Sequence, residues 1–73
     1  MSPRRDAHVL PASDGWVVRV DGEEHDRCWH RTKPPALNTA RRVARLVNST
    51  LFVYDESGKL ADREVFGQSR AGL

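Results

Sequence analysis

The stretch NTARRVARLV, residues 38–47, decides the fold. Wound into a helix at about 100° per residue, it and its neighbours place Leu37, Ala40, Val43, Ala44 and Val47 on one side. Asn38, Arg41, Arg42 and Arg45 fall on the other. The apolar stripe needs a sheet to lie on, and its small alanines allow a close approach. The arginine stripe needs water or an acidic partner.

On the N-terminal side of this helix stands the pair Pro34-Pro35. A residue before proline is pushed away from helical angles, so Lys33 and Pro34 are expected to be extended. Pro35 then suits the first helical position, where a missing amide costs nothing. These limits predict a helix over about 35–48. Further upstream, AHVLP is a short apolar run ended by Pro11, ASDG reads as a turn, and the β-branched, aromatic WVVRV reads as a strand. Asp21-Gly22 signals a second turn leading into a more polar third strand, roughly 24–30. Beyond the helix, TLFVYD is a strand, ESG a turn and KLADREVF the last strand. The expected fold is α+β: a small two-layer domain with a mainly antiparallel sheet, elements in the order β-β-β-α-β-β, and one helix packed on one face. It occupies residues 7–67, between a disordered basic leader over 1–6 and a frayed tail over 68–73.

Size and composition limit the function. A chain of 73 residues makes one domain. At that size only about 60% of the unfolded surface is buried, which leaves no room for a deep cleft between lobes. Hydrophobic residues are 38%, charged residues 30%, and the net charge of +2 permits an acidic partner without demanding one. Cys28 is the one cysteine, so no internal disulfide forms and a reducing, cytoplasmic setting is the default. No apolar run approaches the roughly 20 residues that span a bilayer, and MSPRRDAHVL lacks the apolar core of a signal peptide. No membrane partner is expected.

The candidate sites are of three kinds. Arg41, Arg42, Arg45 and Asn38, joined by Lys33, Arg4, Arg5 and Arg31, would form a basic surface suited to nucleic-acid phosphates. The plainer reading is a solvated helix face, and no aromatic residue lies among these arginines to stack on a base. HDRCWH brings His25, Cys28 and His30 close in sequence, but a structural zinc site wants four ligands and no paired C-x-x-C occurs, so no metal is expected. Cys28 has no oriented base for a nucleophilic role. Glu23, Glu24 and Asp26 read as a solvated loop. No Gly-rich phosphate loop, G-x-S-x-G or H-E-x-x-H is present, so no catalytic residue and no cofactor is expected.

The third kind of site follows from layer geometry. Trp16, Val18 and Val20 share one strand face and Val17 takes the other, while Leu51 and Val53 alternate with Phe52 and Tyr54. One helix covers one face only. The surplus on the second face, Val17 with a pair from 51–54, makes Val17, Phe52 and Tyr54 the candidate partner or dimer surface, unless the termini cover it. The expected function is a noncatalytic binding module that contacts nucleic acid through the basic helix face and forms a homodimer. The alternative is a protein-interaction or inhibitor factor, of phage origin, that meets a host or cognate protein with the open sheet face or a strand edge.

The order of motifs resembles a known family. HVLPASDGWVVRVDGEE, then RTKPPALNTARRVARLVN, then LFVYDESGKLADREVFG is similar to the DUF2188 family of small bacterial and phage proteins. The matching positions are His8-Val9, Asp14-Gly15-Trp16, Gly22, Thr32, Ala36 and Ala40, Leu51 to Tyr54, Ser57-Gly58-Lys59 and Phe66-Gly67, about residues 8–67 in all. The resemblance departs at the helix start, where the family carries an acidic residue or glutamine after the threonine and this chain has Pro34-Pro35. Thr32 is thereby left without a capping-box partner. The resemblance implies structural roles for Gly15, Trp16 and Gly58 and brings no activity with it.

Overall fold

The protein is described here by a computed structural model covering residues 5–66. Six elements follow in order: β1 (Ala7–Ala12), β2 (Gly15–Val20), β3 (Cys28–His30), α1 (Lys33–Leu46), β4 (Thr50–Tyr54) and β5 (Leu60–Val65). The strands form one sheet in the order β3-β2-β1-β4-β5. β1–β2, β2–β3 and β4–β5 are antiparallel. β1–β4 is parallel, as a connection through a helix allows. The expected α+β class and element order stand.

The register sets the core. Ala7 pairs with Val20 and Leu51, and Val9 with Val18 and Val53, so these side chains share one face of three adjacent strands. Onto that face α1 lays Ala36, Ala40, Val43 and Ala44, all buried in the same cluster. Trp16, Cys28, Leu37 and Phe66 pack around it. The apolar stripe therefore faces the sheet, with Ala36 an additional member. Pro11 does not end β1. It lies in register with Trp16, past the point where pairing with β4 stops at Val9, so its missing N–H falls where the strand has become an edge.

The helix starts two residues earlier than expected. Thr32 is the extended N-cap residue and makes no side-chain cap bond, and Lys33, Pro34 and Pro35 form the first turn. Amides in the first turn have no intrahelical acceptor, so both prolines fit without losing a bond, and this outweighs the local preference against helix before proline. The helix also ends earlier, at Leu46. Asn48 takes a left-handed φ of 53°. The Ser49 N–H then donates to the Ala44 carbonyl at 2.9 Å and the Asn48 N–H to Arg45 at 3.3 Å. This is a Schellman closure with asparagine in the usual glycine position.

The third strand is much shorter than 24–30. Gly22, at φ 88°, closes a turn in which the Glu23 N–H donates to Val20 O at 3.1 Å. The segment up to Arg27 stays a loop held by ion pairs: Arg27 Nη2 to Glu23 Oε2 at 2.9 Å, Arg5 Nη2 to the same oxygen at 3.1 Å, and Arg19 Nε to Asp26 Oδ1 at 2.7 Å. The hydrogen bond from Arg27 holds the Glu23 carboxyl below its ordinary value, and Asp26 raises Arg19. The charged side chains satisfy one another outside the ladder, and the sequence alone did not signal that. Of the expected leader, Arg5 is tied to Glu23, and Asp6 accepts bonds from the amides of Asp21 and Thr50. Arg4 and the tail lie outside the described residues.

The β4–β5 turn is built on one carboxylate. Asp55 Oδ1 accepts from Ser57 Oγ at 2.7 Å, Ser57 N at 2.9 Å and Lys59 N at 3.0 Å. Gly58 supplies the left-handed φ of 86°. The Ser57 hydroxyl first, then the Lys59 amide, hold the Asp55 carboxyl below its ordinary 3.8. A lowered folded-state pKa contributes stability that is present above the unfolded value and lost as pH falls through the folded one. The melting-temperature gap between the wild type and Asp55→Ala is therefore expected to be widest near neutral pH and to narrow as pH drops below about 3.8. A gap independent of pH would contradict this account of the turn.

Candidate functional site

The helix arginines do not act as one free stripe. Arg41 Nε and Nη2 grip the Glu64 carboxylate of β5 at 3.0 and 2.9 Å, and that bond raises the guanidinium pKa. The reason is angular: at about 100° per residue Arg41 stands only about 60° beyond buried Ala44, on the flank of the helix and within reach of the sheet edge. The Arg45 guanidinium lies 5.2 Å from the centre of the Phe66 ring, and Lys33 Nζ 4.7 Å from that of Trp16. Asn38 and Arg42 are exposed. Arg5 stands at the Ala7–Val20 end of the sheet and Lys33 at the Trp16–His30 end, so the fold does not gather them into one field.

The histidine-cysteine cluster also separates. Cys28 packs against the core, His30 Nε2 lies 3.0 Å from Thr39 Oγ1 and fastens β3 to the helix, and His25 is exposed beside Glu24.

Among the described residues, the other face of the sheet carries no helix. The register aligns Trp29, Val17 and Leu10 across β3, β2 and β1, and Tyr54 and Leu60 continue that line on β4 and β5, one step past the last β1–β4 pair at Val9 and Val53. Leu10 enters this line through its pairing with Val17. A β-bulge between Val53 and Tyr54 turns Leu60 to the same side as Tyr54. The neighbouring row reads Arg19, His8, Phe52 and Arg63, and Val65 lies one step further along β5. Of the residues expected here, Val17 is flanked by Trp29 and Leu10 and is itself buried, 6% exposed. Phe52 and Tyr54 are half-buried. The broadly exposed members are Trp29 at 51%, Leu60 at 56% and Val65 at 60%, none of which the sequence reading had singled out.

Two local devices stiffen this face. A Cβ on Gly15 would come within 2.8 Å of Trp29 Cε2 and Cζ2 and 2.4 Å of the His30 carbonyl oxygen. The indole therefore rests on the bare Gly15 backbone, with its far side toward solvent. Positive φ belongs to Asp14, at 60°, so Gly15 is required for close approach and not for the turn. The second device is His8. Its Nε2 lies 2.8 Å from Asp21 Oδ1 and its Nδ1 3.3 Å from the Tyr54 hydroxyl, while its ring stacks on Phe52 with centroids 5.4 Å apart. A carboxylate only accepts, so Nε2 carries the proton, and in the neutral ring Nδ1 accepts from Tyr54. Beside this chain His8, Leu10, Arg19, Asp21 and Tyr54 line a shallow depression of about 270 Å³.

Nothing among curated proteins or solved structures matches the chain. One family model matches, that of an uncharacterized protein conserved in bacteria, DUF2188, over residues 7–66, from the first residue of β1 to the phenylalanine that closes the core after β5. The match spans every strand and the helix of the described fold, and the chain belongs to the DUF2188 family.

Proposed function

We propose that this protein is a noncatalytic nucleic-acid-binding module whose contact surface is the open face of the sheet and not the outer face of the helix. The observation that carries the reading is the interleaving of aromatic and cationic side chains there. Trp29, Tyr54 and Phe52 stand among Arg19, His8 and Arg63 in two adjacent rows that hold no carboxylate. Bases have π faces and phosphates have charge, and this mixture meets both. The helix offers exposed cations without an open aromatic platform. Both ring nitrogens of His8 are engaged, which supports a positioning role over a base in catalysis.

Binding is tested by titrating salt against mixed-sequence single- and double-stranded nucleic acid. The expected result is measurable affinity at about 50 mM salt that falls steeply toward about 200 mM as counterions are released. Arg63→Ala should weaken it and Arg42→Ala should leave it near the wild-type value. No binding to any nucleic acid at low salt would overturn the proposal.

A second reading, a second copy of this chain seated on the same face, is favoured by the exposure of Leu60 and Val65 at the β5 side. It uses the face and not the edge. A two-fold pairing of β5 edges keeps each residue on its own side, so registers that pair most of the strand set Asp62 and Glu64 against each other. Native mass spectrometry distinguishes the copy from the nucleic acid.

A further inference from the structure

Resting on the nucleic-acid reading above, we infer that the ligand is a single strand laid across the β-strands, with one base stacked on Trp29 and its backbone led past Arg63. Four observations meet at this point. The Trp29 indole is half exposed, yet its position is fixed from beneath by Gly15. A platform already held in place loses little conformational freedom when a base settles on it. Tyr54 lies in the same row three strands away, about 14 Å at the usual strand spacing, and its hydroxyl is tethered to His8. The whole row spans about 19 Å, room for the two or three bases that an open sheet with aromatic residues accommodates.

The charges on this face agree with that path. The Arg63 side chain makes no ion pair among the described residues, whereas Arg19 is paired with Asp26 and Arg41 with Glu64. Arg63 is thus the cation of this face open to a phosphate. The nearby carboxylates are occupied: Asp21 lies against His8, and Glu23 is shared by Arg5 and Arg27. They border the face at the Ala7–Val20 end, so the strand's course is confined to the two central rows. A duplex keeps its bases stacked on one another and presents none of them flat to Trp29. Selection for single strands follows from the chemistry of this platform.

The test uses the full chain with single-stranded RNA and DNA of roughly ten nucleotides and mixed sequence, and duplexes of the same sequences. Binding is read by anisotropy of labelled strands and by quenching of tryptophan emission. Single strands are expected to bind at least tenfold tighter than duplex. Trp29→Leu, which keeps apolar cover over Gly15, should weaken binding roughly five- to a hundredfold, and Trp29→Phe should recover most of it. Arg63→Ala should weaken binding and lower the slope of log affinity against log salt by about one. Thermal melts of each variant establish that it is folded. RNA and DNA arms that differ identify which backbone is preferred and support the inference equally. Duplex binding as tight as single-strand binding, or Trp29→Leu binding like the wild type, overturns the inference and leaves nucleic-acid binding standing. Absence of binding in every arm overturns both, and a dimer in native mass spectra then assigns the face to a second copy.

Discussion

Leu51→Ala is expected to lower the unfolding free energy by about 2–5 kcal/mol in a urea melt. Leu51 is fully buried, pairs with Ala7 on one side and Glu64 on the other, and belongs to the cluster that α1 covers. Truncation removes the largest of the fully enclosed side chains and leaves a hole lined by valines and alanines that cannot lengthen to fill it. A domain of 73 residues has roughly 4–11 kcal/mol in all, so this one change removes a large share of the total. Leu60→Ala is the matched control. The same chemistry at a site 56% exposed should cost under about 0.5 kcal/mol. Equal costs at the two leucines would mean that β4 does not present Leu51 to the helix.

Gly15→Ala is expected to destabilise by about 1–3 kcal/mol, with a red shift of tryptophan emission. The new methyl would fall 2.4 Å from the His30 carbonyl oxygen, which is backbone and cannot rotate away, and 2.8 Å from the Trp29 ring. The β2–β3 ladder must open at this point and the indole must lift off the sheet. Gly58→Ala is the contrast: its Cβ would meet nothing, so any cost there comes from the left-handed φ of 86° alone and should leave tryptophan emission unchanged. If Gly15→Ala melts like the wild type with unaltered emission, then Trp29 does not rest where the close approach places it.

Both variants bear on how far the fold can be read from the chain. The helix was legible because alanine and valine recur at its period, and β1, β2 and β4 because apolar residues alternate or run together between turn residues. Its ends were misplaced because local rules before proline give way inside a first turn, where amides need no partner. The length of β3 was misjudged because the six polar residues and one glycine from Asp21 to Arg27 can serve a strand or a loop equally well, and only their ion pairs, set by the fold, decide for the loop.

The candidate site was less legible. That a second sheet face carries surplus apolar residues followed from alternation, and Val17, Phe52 and Tyr54 do lie there. Which residues on it face solvent did not. Trp29 reaches this face because Cys28 and His30 point to the other; alternation sets those two apart from Trp29, but only the pairing of Cys28 with Val18 shows which side the helix covers. Leu60 reaches it through a bulge, and Arg63 stands in line with His8 only because β4 pairs parallel to β1. The basic helix was an incomplete guide for a similar reason: the periodicity that separated Arg41 from the alanines could not show Glu64 waiting on β5.

The most direct test of the central claim is a residue-by-residue NMR map of the labelled protein during addition of a short mixed-sequence single-stranded RNA. The account predicts that the largest shifts fall on the backbone of Leu10, Tyr54, Leu60 and Arg63 and on the indole N–H of Trp29, with Asn38, Arg42 and Arg45 unmoved. Shifts concentrated on those three helix residues, with the open face of the sheet silent, would contradict it.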